Sequence, residues 1–153
     1  MWKIKKMAEL TAEEFYQILK LRIDTFVVAQ QRIYHELDDN DPQASHVFYQ
    51  AEDVNQVNAY ARVFIEDDHI TFGRVVTSPA TRGSGLGAKL VKQILQLCSQ
   101  QWPGKTIEIE AQEQVVGFYE KFNFISEGEP FIFESTPHVT MIWQNKINDP
   151  LHG

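Results

Sequence analysis

The chain has 153 residues, 43% hydrophobic and 23% charged, with a formal net charge of −7 and a single cysteine, Cys98. That size fits one domain around one core, expected here over residues 1–153; the acidic balance argues against nonspecific nucleic-acid binding, and the lone thiol excludes an internal disulfide and a Cys-based zinc site. Apolar runs of a few residues fall short of the ~20 needed to span a bilayer, and Glu9 interrupts "MWKIKKMAEL" before a signal-peptide core can form, so a cytoplasmic protein without membrane contact is expected.

"MWKIKKM" alternates Trp2 and Ile4 with Lys3 and Lys5, which predicts a first strand. Thr11 and Glu14 make a capping box with Leu10 and Phe15 as its hydrophobic staple, and Phe15, Ile18, Leu19, Arg22 and Phe26 continue at helical steps to about Gln30. "RIYHELDDNDPQAS" is polar and reads as a loop. "HVFYQ" is a short strand; Val57 to Ile65 and Ile70 to Thr77 flank the turn "EDDH" as a hairpin. Leu86, Leu90, Val91, Ile94, Leu97 and Cys98 mark one face of a second helix, ended by "PG" at 103–104. "TIEIEA" is a strand with Ile107 and Ile109 opposite Glu108 and Glu110; Val115, Phe118, Tyr119 and Phe122 outline a further helix, followed by strands near 124–128 and 138–144. Strands and helices mix without strict βαβ alternation, which predicts an α+β fold with a mixed sheet and helices packed on its faces.

Charge is unevenly spread. From His69 through Ile107 there is no Asp or Glu, while Arg74, Arg82, Lys89, Lys92 and Lys105 fall inside. At the centre of this window "TRGSGLGAKL" places Gly83, Gly85 and Gly87 at the mouth of the second helix. Glycine in regular structure costs roughly 0.5–1 kcal/mol relative to alanine, and one strand-to-helix turn seldom needs three. A phosphate-binding helix start does use bare backbone, because converging N–H groups and the helix dipole favour an anion. A Walker loop is excluded, since Lys89 is preceded by Ala88 and followed by Leu90. Gly83-x-Gly85-x-x-Ala88 fits a dinucleotide fingerprint, with Glu108 about 20 residues on to hold a ribose, but too little chain follows to complete a doubly wound sheet and a substrate domain.

The other pattern here is Arg82-x-x-Gly85-x-Gly87. It resembles the signature of the GNAT superfamily of acyl-CoA-dependent N-acyltransferases, Arg or Gln-x-x-Gly-x-Gly or Ala, between the fourth strand and the following helix. "GRVVTSPATRGSGLGAKLV" is similar to the family's whole strand–loop–helix unit, and "GFYEKFNF" to its later helix with a Tyr. "LKLRIDTFVVAQQ", "YHELDDNDPQASHV" and "PHVTMIW" resemble the ElaA-like branch. Gln112 departs from the family's common Asn, and Asn123 from its usual glycine; asparagine tolerates left-handed backbone.

The resemblance implies a central mixed, largely antiparallel sheet of six to seven strands, and acyl transfer from acetyl-CoA to an amine in a ternary complex. Arg82, Gly83, Ser84, Gly85, Leu86, Gly87 and Ala88 would hold the pyrophosphate. Val75, Val76 and Thr77 would pair with the pantetheine arm as an added strand, one of their N–H groups lying near the thioester carbonyl. Gln112 and Tyr119 would complete the cofactor contacts. Tyr119 matches the family's general acid for the leaving thiolate, the reading favoured over simple packing of a Tyr between Phe118 and Phe122. A lysine-like acceptor amine is protonated at pH 7, and freeing its lone pair costs ~4.6 kcal/mol, so a base is needed. Glu110 is favoured; Glu108, His46 and His138 also stand at strand positions, where a structural reading competes. Glu36, Asp38, Asp39 and Asp41 form an acidic loop, read either as a lure for a cationic acceptor or as a solvated segment; it lacks the offsets of a calcium loop. A non-catalytic CoA-binding module and a small dinucleotide-binding oxidoreductase are the competing functions. Homodimerisation is common in the family. The acceptor is not legible.

Overall fold

The computed structural model describes residues 1–53, 55–133 and 135–145, and among these seven strands and three α-helices form in the order the apolar periodicity predicts. Strands β1 (Trp2–Lys6), β2 (Ser45–Gln50), β3 (Val57–Glu66), β4 (His69–Thr77), β5 (Ile107–Gln112), β6 (Ile125–Phe133) and β7 (Thr136–Trp143) make one sheet in the order β1-β2-β3-β4-β5-β7-β6. Helices α1 (Ala12–Ile23), α2 (Leu86–Gln101) and α3 (Val116–Glu120) complete the mixed α+β architecture. Every registered pairing is antiparallel except β4 with β5, which meet in parallel at Ile70↔Ile107. A mostly antiparallel sheet is not the doubly wound parallel sheet a dinucleotide fingerprint opens, so the oxidoreductase alternative falls. No helix of the described residues is long and apolar enough to cross a membrane.

The described residues divide into two compact units. The first comprises Met1–Phe64 and Phe72–Ile94. Its α1 starts as the sequence predicts: Thr11 Oγ1 accepts from the Glu14 N–H at 3.0 Å, and Glu14 Oε1 accepts from the Thr11 N–H at 2.9 Å. Ile18 and Leu21 pack on Phe48, Val57, Tyr60 and Val76, with Leu10 and Phe26 at the margin. One expectation needs correction. The helix does not run regularly to Gln30; it passes at Asp24 into a π-helical stretch, Asp24–Ala29. β1 forms as expected, with Ile4 41% exposed and Lys3 and Lys5 reaching in to Glu14 at 2.9 Å. Burial raises the Glu14 pKa, but bonds from the Thr11 N–H and both lysines outweigh it and hold the carboxyl down at about 2.

The second unit comprises Ile65–Thr71 and Leu95–Gly153. Here β5 buries Ile107, Ile109 and Ala111 and turns Glu110 outward. α2 ends as "PG" predicts, Gly104 taking φ +85°, and Asn145 Nδ2 donates to the Cys98 and Trp102 carbonyls at 3.0 and 2.7 Å, satisfying acceptors that a helix end leaves open. β6 is the outer strand of the sheet and is exposed along nearly its whole length.

Candidate acyl-donor and catalytic residues

The glycine-rich segment lies in the first unit. Ser78, buried at the end of β4, donates through its N–H to the Asn58 carbonyl at 2.8 Å and through Oγ to Asn58 Oδ1 at 3.0 Å. Pro79–Thr81 then make a 3-10 turn whose cap is Arg82, and the Ser84 hydroxyl donates back to the Thr81 carbonyl at 2.5 Å. Gly83 and Gly85 follow in left-handed conformations, φ +82° and +79°, and a Cβ built on either would meet no atom within 4 Å. Both therefore need glycine for their backbone angles, and both leave open space at the start of α2. Gly87 lies inside the first turn of the helix. The first N–H groups of any helix lack intrahelical acceptors, and with the dipole they favour an anion. The segment from His69 to Ile107 itself carries no Asp or Glu. A cavity of about 480 Å³ adjoins the turn, lined among others by Lys20, Asp24, Ser78, Pro79 and Arg82.

Upstream, β4 is irregular. Arg74 has φ +54°, and Gly73, Arg74 and Val75 are successively half-buried, where a regular strand would alternate. The Arg74 side chain reaches the loop after α1: Nη2 donates to the Glu36 carbonyl at 3.0 Å and Nε to Glu36 Oε2 at 3.1 Å. Glu36 belongs to a buried network that the sequence reading missed. Arg22, fully buried, donates to Glu36 Oε2 at 2.6 Å and to Asp41 Oδ1 at 2.7 Å. Arg62 pairs with Asp38 at 2.6 and 2.8 Å, and the Tyr34 hydroxyl donates to Glu36. The Arg62 bonds hold Asp38 below the usual carboxylate range. Burial pushes Asp41 up, but bonds from Arg22 and the Asp38 N–H bring it below that range too. Glu36 and Asp41 are thus not solvated but buried and paired with arginines, whereas Asp38, paired with Arg62, and Asp39 are exposed. His46 is 1% exposed. Its Nε2 meets the Asp41 carbonyl at 3.0 Å and its Nδ1 meets the Tyr60 hydroxyl at 2.6 Å. A carbonyl only accepts, so Nε2 carries the proton, and burial lowers the His46 pKa. The imidazole is a neutral packing group. A signal for the network was present, since Arg22 occupies a core position in the helical stripe and a buried guanidinium requires carboxylates.

In the second unit, Glu108, Glu110 and Gln112 share one face of β5, opposite Ile142, Thr140 and His138 of β7. Glu108 lies 3.5 Å from His69 Nε2; Glu110 is exposed and has no ion pair among the described residues. Gln112 Oε1 accepts from Gln114 at 2.6 Å. His138 Nδ1 donates to the Thr136 carbonyl at 2.8 Å, and its ring stacks on Phe131. Tyr119, on α3, is 7% exposed between Phe118 and Phe124, and burial pushes its phenol up to about 12. Asn123 adopts φ +73°, the left-handed conformation expected of a glycine replacement. No group of three or more His, Cys, Asp or Glu that could hold a metal occurs among the described residues.

This mostly antiparallel sheet flanked by helices is shared with a solved acyl-CoA N-acyltransferase, and the chain is an N-acyltransferase by family. The chain belongs to the acetyltransferase (GNAT) domain family, whose pattern it matches over residues 7–145. It falls in the ElaA-like branch. Protein ElaA of Escherichia coli is 32% identical over 92% of this chain and 94% of that protein, and its crystal structure covers 93% of this chain and 98% of that one with a TM-score of 0.86. An acyl-CoA N-acyltransferase from Pseudomonas aeruginosa has the same TM-score at 31% identity, covering 93% of this chain and 97% of the other.

Proposed function

We propose that this N-acyltransferase takes acyl-CoA, acetyl-CoA in the first instance, and transfers the acyl group to a primary amine by direct attack, residues 1–153 acting as one domain. The observation that carries this is the open, left-handed Gly83–Gly85 turn at the mouth of α2, and the description of the Pseudomonas aeruginosa relative as an acyl-CoA N-acyltransferase supports it. Arg82 through Ala88 would hold a diphosphate through main-chain N–H groups, a reading supported by the open space at Gly83 and Gly85. Val75, Val76 and Thr77 offer strand backbone to the pantetheine arm, and Gln112 a further polar contact. When bound, acyl-CoA supplies an activated thioester.

Glu110 takes the proton that leaves the amine, directly or through a water. It is preferred to Glu108, whose carboxylate faces His69. Tyr119 is protonated at neutral pH and gives its proton to the departing thiolate. His138, with Nδ1 engaged, keeps Nε2 for the acceptor. As the C–N bond forms the C–S bond breaks, so free thiol reports turnover.

Calorimetric titration with acetyl-CoA and with NADH, followed by thiol detection over a panel of spermidine, an aminoglycoside, free amino acids and a peptide with an unblocked N-terminus, tests the assignment. Acetyl-CoA should bind, NADH should not, and at least one amine class should release thiol saturably. Absence of acetyl-CoA binding, or binding without thiol release from any amine, overturns it.

A further inference from the structure

Arg74 is the feature of β4 that local preference does not explain. A non-glycine residue at φ +54° inside a strand costs roughly 1–2 kcal/mol, and arginine has no side-chain oxygen with which to stabilise such a conformation locally. It persists only where surrounding structure over-determines it. The surroundings do so here: Glu36 accepts three bonds from the Arg74 guanidinium, two at its carbonyl (3.0 and 3.4 Å) and one at Oε2 (3.1 Å). Asp38 Oδ2 lies 3.6 Å from Nη2, and the Tyr34 ring lies under the guanidinium with its centroid 5.5 Å away. Glu36 is itself immobilised by the fully buried Arg22. The left-handed residue immediately precedes Val75, and a left-handed step in a strand interrupts the ladder and re-aims the peptide groups beside it.

We infer that Arg74, clamped by Glu36, is a positioning residue that fixes the left-handed step in β4 and so aims one of the backbone N–H groups of Val75–Thr77 at the acyl carbonyl. This rests on the acyl-CoA assignment above. Glu36, in the loop between α1 and β2, then serves the reaction through Arg74 and not by touching the acceptor. The consequence is separable from donor affinity. Diphosphate contacts at Gly83–Ala88 persist when Arg74 is altered, whereas polarisation of the thioester carbonyl, where charge develops, does not.

The probe is acetyl-CoA labelled with ¹³C at the carbonyl, followed by difference infrared spectroscopy, with calorimetry in parallel. Wild-type protein should lower the carbonyl stretch relative to free acetyl-CoA. Arg74→Ala should bind unlabelled CoA within about 3-fold of wild type, a change under 1 kcal/mol, yet lose at least half of the frequency shift. Arg74→Met, which keeps the side-chain stem but not the guanidinium, should lose it too and replaces Arg74→Ala if that variant does not fold, whereas Arg74→Gly, which takes the left-handed angle without a clamp, should keep most of it. A wild-type shift retained in Arg74→Ala or Arg74→Met overturns the inference, as does its loss in folded Arg74→Gly or bound acetyl-CoA with no shift in wild type. Failure of wild type to bind acetyl-CoA at all instead overturns the acyl-CoA assignment, and this inference with it.

Discussion

Replacing Arg22 with Met removes the centre of the buried charge network while keeping an unbranched side chain of similar reach. Arg22 is fully buried and donates to Glu36 Oε2, the Glu36 carbonyl and both oxygens of Asp41. Breaking a buried pair by deleting one partner typically costs ~3–5 kcal/mol, because the other charge is stranded. The stranding is partial here: Glu36 keeps Arg74 at 3.1 Å, and Asp41 keeps Arg62 at 3.1 Å. The lower end, ~3 kcal/mol, is therefore expected at pH 7, equivalent to a fall in Tm of roughly 10 °C for a chain of this size. The penalty should depend on pH with a definite sign. Asp41 is depressed below its unfolded pKa, so its contribution is full above the unfolded value near 3.8 and is lost as pH falls through the folded value. Without Arg22 that depression shrinks, and the wild-type and variant stability curves should converge below about pH 4. Urea unfolding of both proteins from pH 3 to 7, followed by circular dichroism, measures this. A cost below ~1 kcal/mol at pH 7, or one independent of pH, would refute the buried-network description.

Other outcomes follow from the same structure. Glu14→Gln should lose up to about 3 kcal/mol at pH 7, since a carboxyl at about 2 against 4.5 unfolded contributes above pH 4.5 and loses its contribution down to about pH 2; urea titrations in that window should show the variant's curve flatter than wild type. Tyr119→Phe keeps the ring packing and should lower kcat ~10²-fold, the small end for a general acid because a phenol at about 12 lies far above the working pH. Unchanged thiol release would remove Tyr119 from the chemistry. Cys98, buried with its thiol pushed up to about 12, should resist iodoacetamide at pH 8 in the native state and react on unfolding, as followed by mass spectrometry.

What could be read from the chain followed its local rules. The capping box at Thr11, the Ile107/Ile109 alternation and the stop at Gly104 each depend on neighbours within a few residues, and each forms as expected. Which face of β1 turns inward was not legible, because Lys3 and Lys5 reach in to meet Glu14, a partner the strand pattern does not reveal. The burial of Glu36 and Asp41 in the acidic loop was not legible for the same reason. Its carboxylates find Arg22, Arg62 and Arg74, contributed by a helix and two strands, and only the odd place of Arg22 in an apolar stripe hinted at them. The left-handed Arg74 left no local trace, since nothing in arginine favours that conformation. Gly83 and Gly85 were legible as a motif, but their backbone angles supply the physical reason.

The most direct measurement is calorimetric affinity for acetyl-CoA in wild type, Gly85→Ala and Gly85→Glu. Gly85 sits at φ +79°, so both substitutions carry the same left-handed strain, roughly 1–2 kcal/mol, and circular dichroism should show both folded. Only glutamate also places a bulky negative charge in the open space beside the turn. A diphosphate held there predicts at least a 100-fold loss in Gly85→Glu, about 2.7 kcal/mol, against a much smaller loss in Gly85→Ala. Undiminished acetyl-CoA affinity in folded Gly85→Glu would contradict the diphosphate cradle at the mouth of α2.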